Sequence, residues 1–225
     1  QVEFRYLSKI TGDRKYADKA NRVFEIMSKQ EAYHGLYPIY VSTSSGKPVG
    51  KQARVTFGAL GDSFYEYLLK VWLQGGKKEA MYRKMYDAAM DGMTEVLLKR
   101  SDPHGLTYVS DWNGHSNEAK MDHLVCFVAG TLALGAQTTD DTERADRDLK
   151  TAKALAYTCY QMYKRQKTGL APEMVRFQDG KASDMVVPHN TAYNILRPET
   201  AEALFVLHQV TGDPIYRDWS YEIFQ

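Results

Sequence analysis

The sequence predicts an all-α fold with short β segments in its loops. Apolar residues recur at spacings of three and four over six long segments, which is the periodicity of amphipathic helices. The segments between them are short and rich in residues that favour turns. A helix–turn–helix pattern also occurs twice, once near each end of the chain. Helix pairs joined in this way are typical of stacked or toroidal αα architectures.

The six predicted helices cover residues 15–27, 57–73, 79–98, 120–134, 143–163 and 198–210. In the second helix, a single apolar stripe is predicted from Phe57, Leu60, Phe64, Leu68 and Val71. Clusters of Gly, Pro, Asp and Ser predict turns at residues 42–48, 101–105 and 178–180. A short β-like run follows at residues 106–109. With no linker in the sequence, we interpret residues 1–225 as a single domain.

The repeated pattern places Thr-Gly-Asp between two helices, at residues 11–13 and 211–213. Glycine adopts the left-handed conformation that ends a helix, and the Asp side chain can then cap the next helix. In the second copy, Pro214 suits the first helical position, where no backbone N–H is needed. Two copies do not establish a solenoid, and a common favourable turn is the simpler alternative.

Composition excludes some classes of partner. The 225 residues contain 29 basic and 28 acidic side chains, so there is no general attraction to nucleic acid or to an anionic membrane. No apolar run approaches the roughly 20 residues that span a bilayer. The 16 Tyr residues suit a protein that stacks rings on sugars, and equally one that packs Tyr between helices.

Both ends of the chain read as helix. No signal peptide is visible at Gln1, and residues 221–225 are amphipathic helix without a cap. We therefore expect the chain to be part of a longer protein, in which residues 1–225 form an incomplete catalytic domain.

A group of charged residues lies at the predicted start of the last helix. Pro198 fits the first helical position, Arg197 precedes it, and Glu199 and Glu202 fall in the first turn. One interpretation is structural, because acidic residues there gain about 0.3–1 kcal/mol from the helix dipole. The other is a carboxylate pair that faces a pocket, with Arg197 holding a ligand or a neighbouring carboxylate.

Asp62 precedes a strongly apolar and aromatic helical run, after small residues that would allow close approach to the backbone. It is either a functional carboxylate or a helix cap, with Glu66 and Lys70 as an i, i+4 surface pair. His123 follows Asp122 in a segment that is otherwise apolar, and could serve as a metal ligand, a base or a buried core histidine. The spacing of His and Cys residues does not favour zinc, and no phosphate-binding loop is present.

Several carboxylates at helix starts, an Arg, a His and many aromatic residues together match the chemistry of glycosidases. In those enzymes one carboxyl group protonates the leaving oxygen, and another activates water or attacks the anomeric carbon. The two cysteines, Cys126 and Cys159, could be free thiols or a disulfide; composition slightly favours thiols in a chain of this length.

The sequence is similar to class I α-1,2-mannosidases, glycoside hydrolase family 47, over nearly its whole length. The resemblance rests on Val2-Glu3-Phe4-Arg5, on the two Thr-Gly-Asp turns and on longer motifs in the family's order. These motifs are GDSFYEYLLK at 61–70, KMDHLVCF at 120–127, GTLALG at 130–135, TCYQM at 158–162 and LRPET at 196–200.

The resemblance implies an (αα)₇ barrel that hydrolyses α-1,2-linked mannose of high-mannose N-glycans with inversion. It implies that Glu199 is the general base and that Asp62 is a catalytic acidic residue. Arg197, His123 and Glu202 match residues that line the −1 sugar or the water shell of one calcium ion, Ca²⁺, at the barrel floor. Cys126 and Cys159 match the family's disulfide pair, which implies an oxidising compartment.

Leu60 matches the position that distinguishes two branches of the family. The residue there is Arg in endoplasmic reticulum members that remove one mannose, and Leu in Golgi members that remove several. Leu60 therefore favours the Golgi type, whereas the Asp-His-Leu-Val-Cys stretch resembles the reticulum type. The expected location is the lumen of either compartment.

Two family elements do not occur in this sequence. One is the N-terminal carboxylic acid that protonates the leaving group, and the other is a calcium-binding Thr expected beyond residue 225. We therefore expect no metal ligand within this chain and no activity from these residues alone. The alternatives to a glycosidase are a catalytically weak, lectin-like mannose-binding relative and a purely structural αα scaffold.

Overall fold

The computed structural model describes residues 1–47, 49 and 53–225. It confirms the predicted fold class, because helices dominate and the strands are short. The α-helices are α1 (Val2–Thr11), α2 (Lys15–Met27), α3 (Asp62–Gln74), α4 (Ala80–Gly92), α5 (Phe127–Gln137), α6 (Thr142–Lys164), α7 (Glu199–Thr211) and α8 (Ile215–Phe224). A π-helix, Met93–Leu97, extends α4, and 3₁₀ turns span His123–Cys126 and His189–Thr191.

The strands form small antiparallel sheets between the helices. They are β1 (Leu98–Arg100), β2 (Thr107–Val109), β3 (Asp111–Trp112), β4 (Asn117–Glu118), β5 (Lys120–Asp122), β6 (Met174–Phe177) and β7 (Met185–Val186). Strand β1 pairs with β2, β3 with β4, and β6 lies between β5 and β7. In the last sheet Met121 is opposite Val175, and Arg176 is opposite Val186. The β-like run predicted at 106–109 is therefore confirmed as β2.

The core centres on α5, which is apolar on all sides and is packed against α6 and α7. Small residues permit this packing. A Cβ atom on Gly130 would lie 3.0 Å from the Cα atom of Ala203 in α7, and one on Gly135 would lie 2.1 Å from the hydroxyl of Tyr86 in α4. The close contact of α5 with α7 brings the residues at the starts of these helices into one region.

Three predicted helices have different bounds in the structure. Residues 120–122 were predicted as helix but form β5, because they pair with β6; α5 begins only at Phe127. The helix predicted at 57–73 begins at Asp62, and Leu60 does not belong to its apolar stripe, since its side chain is 70% exposed and its φ is 78°. The helix predicted at 79–98 becomes a π-helix after Gly92 and ends in β1.

Both Thr-Gly-Asp turns adopt the predicted geometry. Gly12 and Gly212 have φ of 73° and 70° and end α1 and α7. Asp13 Oδ1 accepts a hydrogen bond from the backbone N–H of Lys15 at 3.0 Å, and Asp213 Oδ1 accepts the equivalent bond from Ile215 at 3.0 Å. The two copies are therefore similar in structure as well as in sequence. Of the turn predicted at 42–48, residue 48 lies outside the described residues, and the backbone N–H of Gly46 closes the turn on Ser42.

Cys126 and Cys159 form a disulfide, as the family resemblance implied. The bond joins the 3₁₀ turn before α5 to the middle of α6. In the described part of the chain no helix combines the length and the apolar character that crossing a bilayer requires.

Candidate functional site

Glu199 is the first residue of α7 and is half-buried. Its Oε2 atom is fully buried and has no hydrogen-bond partner among the described residues. Burial is the main reason that the pKa of Glu199 is raised, and the negative charges of Glu202 and Asp62 raise it further, while its own backbone N–H and Arg197 oppose the shift. A buried carboxylate oxygen without a partner is costly for folding, and such costs cluster at functional sites.

Arg197 is held in place by Glu173. Its Nε donates to Glu173 Oε2 at 2.7 Å, and its Nη2 donates to Glu173 Oε1, so the pair is bidentate. This bond is the first reason that the pKa of Arg197 is raised. Leu196, which precedes Arg197, has φ of 56° and is 83% exposed. The chain thus takes a strained turn immediately before α7.

Asp62 is the first residue of α3, and its Oδ1 accepts a hydrogen bond from the backbone N–H of Ser63 at 2.8 Å. The segment before it is tightly packed: a Cβ on Gly61 would lie 2.1 Å from the backbone oxygen of Thr56. Leu60 has a positive φ and projects into solvent. Gly61 is the N-cap and no side chain caps this helix, so the predicted capping role of Asp62 is wrong. The negative charge of Asp62 contributes to the raised pKa of Glu199.

Glu202 is joined to α3 through Lys70. The Nζ of Lys70 donates to Glu66 Oε1 at 2.5 Å and to Glu202 Oε1 at 3.2 Å. The predicted i, i+4 pair of Glu66 and Lys70 is therefore present, and it also links α3 to α7. Lys70 thus partly neutralises Glu202, whose charge acts on Glu199.

His123 is buried, and its side chain contacts α6 and α7. Its Nε2 lies 3.2 Å from Thr200 Oγ1, and its ring meets Tyr163 edge-on at 5.2 Å. Its backbone N–H donates to the backbone oxygen of Glu173 at 2.8 Å. Burial lowers the pKa of His123 to about 4, so the ring is neutral near pH 7.

The predicted residues thus lie at or close to the starts of α3, α5 and α7. Leu60, just before α3, is exposed to solvent. Sequence reasoning missed Glu173 and Thr200, which hold Arg197 and His123. Glu173 had no local signal, because it lies in a loop and reaches Arg197 only through tertiary packing. Thr200 lies within the LRPET motif but was not singled out.

Charged residues continue from this region toward the β3–β4 hairpin. Lys120 lies between Asp111, at 2.7 Å, and Asp122, at 3.1 Å, and Arg54 also pairs with Asp111. A Cβ on Gly58 would lie 2.3 Å from Asp122 Oδ2, so the segment before α3 rests directly on this network. In the described ranges, no group of three or more His, Cys, Asp or Glu side chains is arranged to hold a metal ion.

Comparison with known proteins shows the family to which this chain is similar. Residues 1–225 match the sequence profile of the family described as glycosyl hydrolase family 47. The chain is 41% identical to the endoplasmic reticulum mannosyl-oligosaccharide 1,2-α-mannosidase of Schizosaccharomyces pombe, with all of this chain and 46% of the relative aligned. It is 44% identical to a mannosyl-oligosaccharide 1,2-α-mannosidase of Arabidopsis thaliana, of which it covers 39%. This chain therefore spans less than half the length of these relatives.

Among solved structures, the α-1,2-mannosidase of Trichoderma reesei superposes with a TM-score of 0.86 at 27% identity, over 98% of this chain and 48% of that one. A glycoside hydrolase family 76 mannosidase of Bacteroides thetaiotaomicron superposes with a TM-score of 0.65 at 14% identity, over 99% of this chain and 56% of that one, which shows a shared fold alone. The helices described above are therefore part of an α/α barrel.

Proposed function

Because the chain belongs to glycosyl hydrolase family 47, we propose that its residues form part of the active site of an inverting α-1,2-mannosidase. The proposed substrate is the high-mannose N-glycan of glycoproteins, and the reaction is hydrolysis of its α-1,2-linked mannose. The S. pombe and A. thaliana relatives are named for this bond and for mannosyl-oligosaccharides.

The main support for this proposal is the buried Oε2 of Glu199, which has no hydrogen-bond partner within residues 1–47, 49 and 53–225. In an inverting glycosidase a carboxylate removes a proton from the attacking water, and a carboxylic acid protonates the leaving oxygen. Glu199 suits the first role, since one of its oxygens is available and its raised pKa makes it a stronger base than an exposed Glu. We assign Asp62 to the same side of the cleaved bond as Glu199, where water is activated. The acid that protonates the leaving group would come from a part of the protein outside residues 1–225.

The neighbouring side chains have binding roles in this proposal. Arg197, fixed by Glu173, would bind a hydroxyl of the mannose at the cleaved bond, since a guanidinium donates in fixed directions. Neutral His123 and Glu202 would complete that subsite. Exposed Leu60 would contact sugars further along the oligosaccharide and influence which branch is trimmed.

Calcium dependence is also a proposal. Glu66 and Glu202 supply carboxylate oxygens of the kind that calcium and its bound waters prefer. The described residues do not form a metal site by themselves, so the direct ligands would come from elsewhere in the protein. The proposed roles of Glu199, Asp62 and Arg197 do not require direct contact with the metal ion.

The lumen of the endoplasmic reticulum or the Golgi is the proposed location. The S. pombe relative is named as an endoplasmic reticulum enzyme, and the disulfide between Cys126 and Cys159 suits an oxidising compartment.

Mannose release from a high-mannose oligosaccharide tests this function. A protein of the relatives' length that contains these residues should release mannose with calcium and not with a chelator, whereas residues 1–225 alone should release none. In the longer protein, Glu199→Gln should reduce kcat by about 10²–10⁴-fold, because the base is lost while the shape is kept. Glu143→Gln, at an exposed first-turn Glu of α6, should leave kcat unchanged.

If Glu199→Gln keeps most of its activity, the assignment of the base is wrong. If the longer protein binds the oligosaccharide but releases no mannose under any condition, the lectin-like alternative replaces the glycosidase.

A further inference from the structure

A cavity that none of the proposed site residues lines opens beside the β3–β4 hairpin. Its volume is about 680 Å³, and the described residues that line it include Tyr33, His34, Val55 and Trp112. Tyr33 is 48% exposed and Trp112 is half-buried, and their rings are stacked with centroids 5.9 Å apart and planes 20° apart. The cavity therefore has an aromatic wall that solvent can reach.

The aromatic wall is rigidly built. Tyr33 and Leu36 exchange backbone hydrogen bonds at 3.0 and 2.9 Å, which closes the turn that carries Tyr33. The turn is pressed against α4, because a Cβ on Gly35 would lie 2.4 Å from the backbone oxygen of Ala88. On the other side, Trp112 exchanges two backbone bonds of 2.9 Å with Val55.

His34 adds polar groups and strain to the same cavity. It has φ of 52°, which is unfavourable for a residue with a Cβ, and its Nδ1 lies 2.8 Å from Glu95 Oε2. Glu95 belongs to the π-helix Met93–Leu97, and π-helical turns occur frequently at functional sites. His34, which lines the cavity, is thus a residue in an unfavourable conformation that is held by a residue of an irregular helix. Such strain often marks a functional site, which is a reason to look for a ligand.

The cavity is connected through a short chain segment to the residues around Glu199 and Asp62. Asp62 follows Val55 by seven positions along the chain, a distance of at most about 25 Å. Thr56, between them, donates to Asp111 Oδ1 at 2.5 Å, and Asp111 precedes Trp112 in β3. The segment that presents the cavity therefore continues directly into the start of α3, within reach of a branched oligosaccharide.

We propose that the cavity of Tyr33, His34 and Trp112 is a distal carbohydrate subsite, which binds a mannose residue of the oligosaccharide away from the bond that is cleaved. A pyranose ring has an apolar C–H face that stacks on aromatic rings and hydroxyl groups at its edge that pair with polar side chains. The wall of Tyr33 and Trp112 supplies the first contact, and His34 with Glu95 supplies the second. This assignment rests on the proposed function for the class of ligand.

Binding to the 225-residue chain tests the subsite directly, because all four named side chains lie within it. A high-mannose oligosaccharide should change the indole NMR signal of Trp112. Tyr33→Ala should weaken binding about tenfold, the loss of one good aromatic stacking contact. Tyr33→Phe should retain binding, and Tyr221→Ala, at an exposed Tyr of α8, should have no effect. Equal thermal unfolding midpoints would show that the variants fold.

Kinetics in the longer protein separates this proposal from the proposed function. Tyr33→Ala should raise KM for the oligosaccharide about tenfold without changing kcat. It should leave KM for α-1,2-mannobiose unchanged, because both sugars of that disaccharide flank the cleaved bond and neither would occupy a distal subsite. If Trp112 does not respond to the oligosaccharide, or if Tyr33→Ala binds as the unaltered chain does, the subsite is wrong. The proposed glycosidase function would not be affected by that result, because the mannose-release assay tests it independently.

Discussion

At the residue scale, the site contains charged and polar side chains that are partly or fully buried, and most of them are oriented by hydrogen bonds to neighbouring side chains. Glu199 has a buried oxygen that finds no partner in the described part of the chain. Arg197 is held by Glu173, and His123 by Thr200. The N-terminus of α7 favours a negative charge at Glu199, and burial opposes it. Burial, with the charges of Glu202 and Asp62, raises the pKa of Glu199 although its own backbone N–H and Arg197 oppose the shift.

His123 predicts a pH dependence of stability. An unfolded His binds a proton near its ordinary pKa of 6.5, but folded His123 does so only at about pH 4. Between these values the unfolded state binds more protons, so stability rises with pH and is lost as pH falls toward 4. We expect His123 to account for a loss of about 3 kcal/mol in unfolding free energy over this interval.

Urea unfolding at pH 7, 5.5 and 4 measures this loss. His123→Asn should be less stable at pH 7 but should lose less stability on acidification. His115→Asn, at an exposed His, should retain the slope of the unaltered chain. An unchanged slope in His123→Asn would contradict the assignment.

At the scale of elements, irregular segments position the helices that carry the site. The 3₁₀ turn His123–Cys126 joins β5 to α5, and the disulfide fixes that turn to α6. The loop before β6 places Glu173 where it accepts from Arg197 and also receives the backbone N–H of His123. Short strands and turns, rather than the long helices, therefore determine where the functional side chains meet.

Removing the disulfide should lower stability without changing the fold. The bond closes a segment with a sequence separation of 33. In the chain-entropy treatment such a loop contributes about 3–4 kcal/mol, because the unfolded chain is restricted. Replacement of Cys126 and Cys159 by Ser should lower the unfolding free energy by about this amount, as measured by urea titration. A loss below about 1 kcal/mol would mean that the bond does not act mainly on the unfolded chain.

At the scale of the whole molecule, the first and last helices expose large apolar side chains. In α1 these include Phe4, Tyr6 and Ile10, which are 53%, 57% and 62% exposed, and in α8 Phe224 is 84% exposed. Monomeric soluble proteins rarely leave such groups together in contact with water. Helix pairs α1–α2 and α7–α8 thus offer apolar faces that further helices of an α/α barrel would cover.

We expect residues 1–225 alone to self-associate, since association removes these apolar groups from water. Sedimentation velocity should show species larger than 25.6 kDa at micromolar concentrations. Exchange of Phe4, Ile10 and Phe224 for Ser should shift the distribution toward the monomer. A strictly monomeric chain at about 100 µM, which lies within the micromolar-to-millimolar range where exposed apolar surface promotes association, would contradict this expectation.

The sequence by itself determined the helical fold class, the bounds of α2 and the two Thr-Gly-Asp turns, because apolar periodicity and glycine or Asp chemistry act over a few residues. Family motifs within it gave the disulfide and the family. Only tertiary structure decided that residues 120–122 form a strand, since pairing with β6 outweighs local helical preference. Tertiary packing alone also brought Glu173 to Arg197 and Thr200 to His123, because contacts between distant segments leave no periodic signal in the chain.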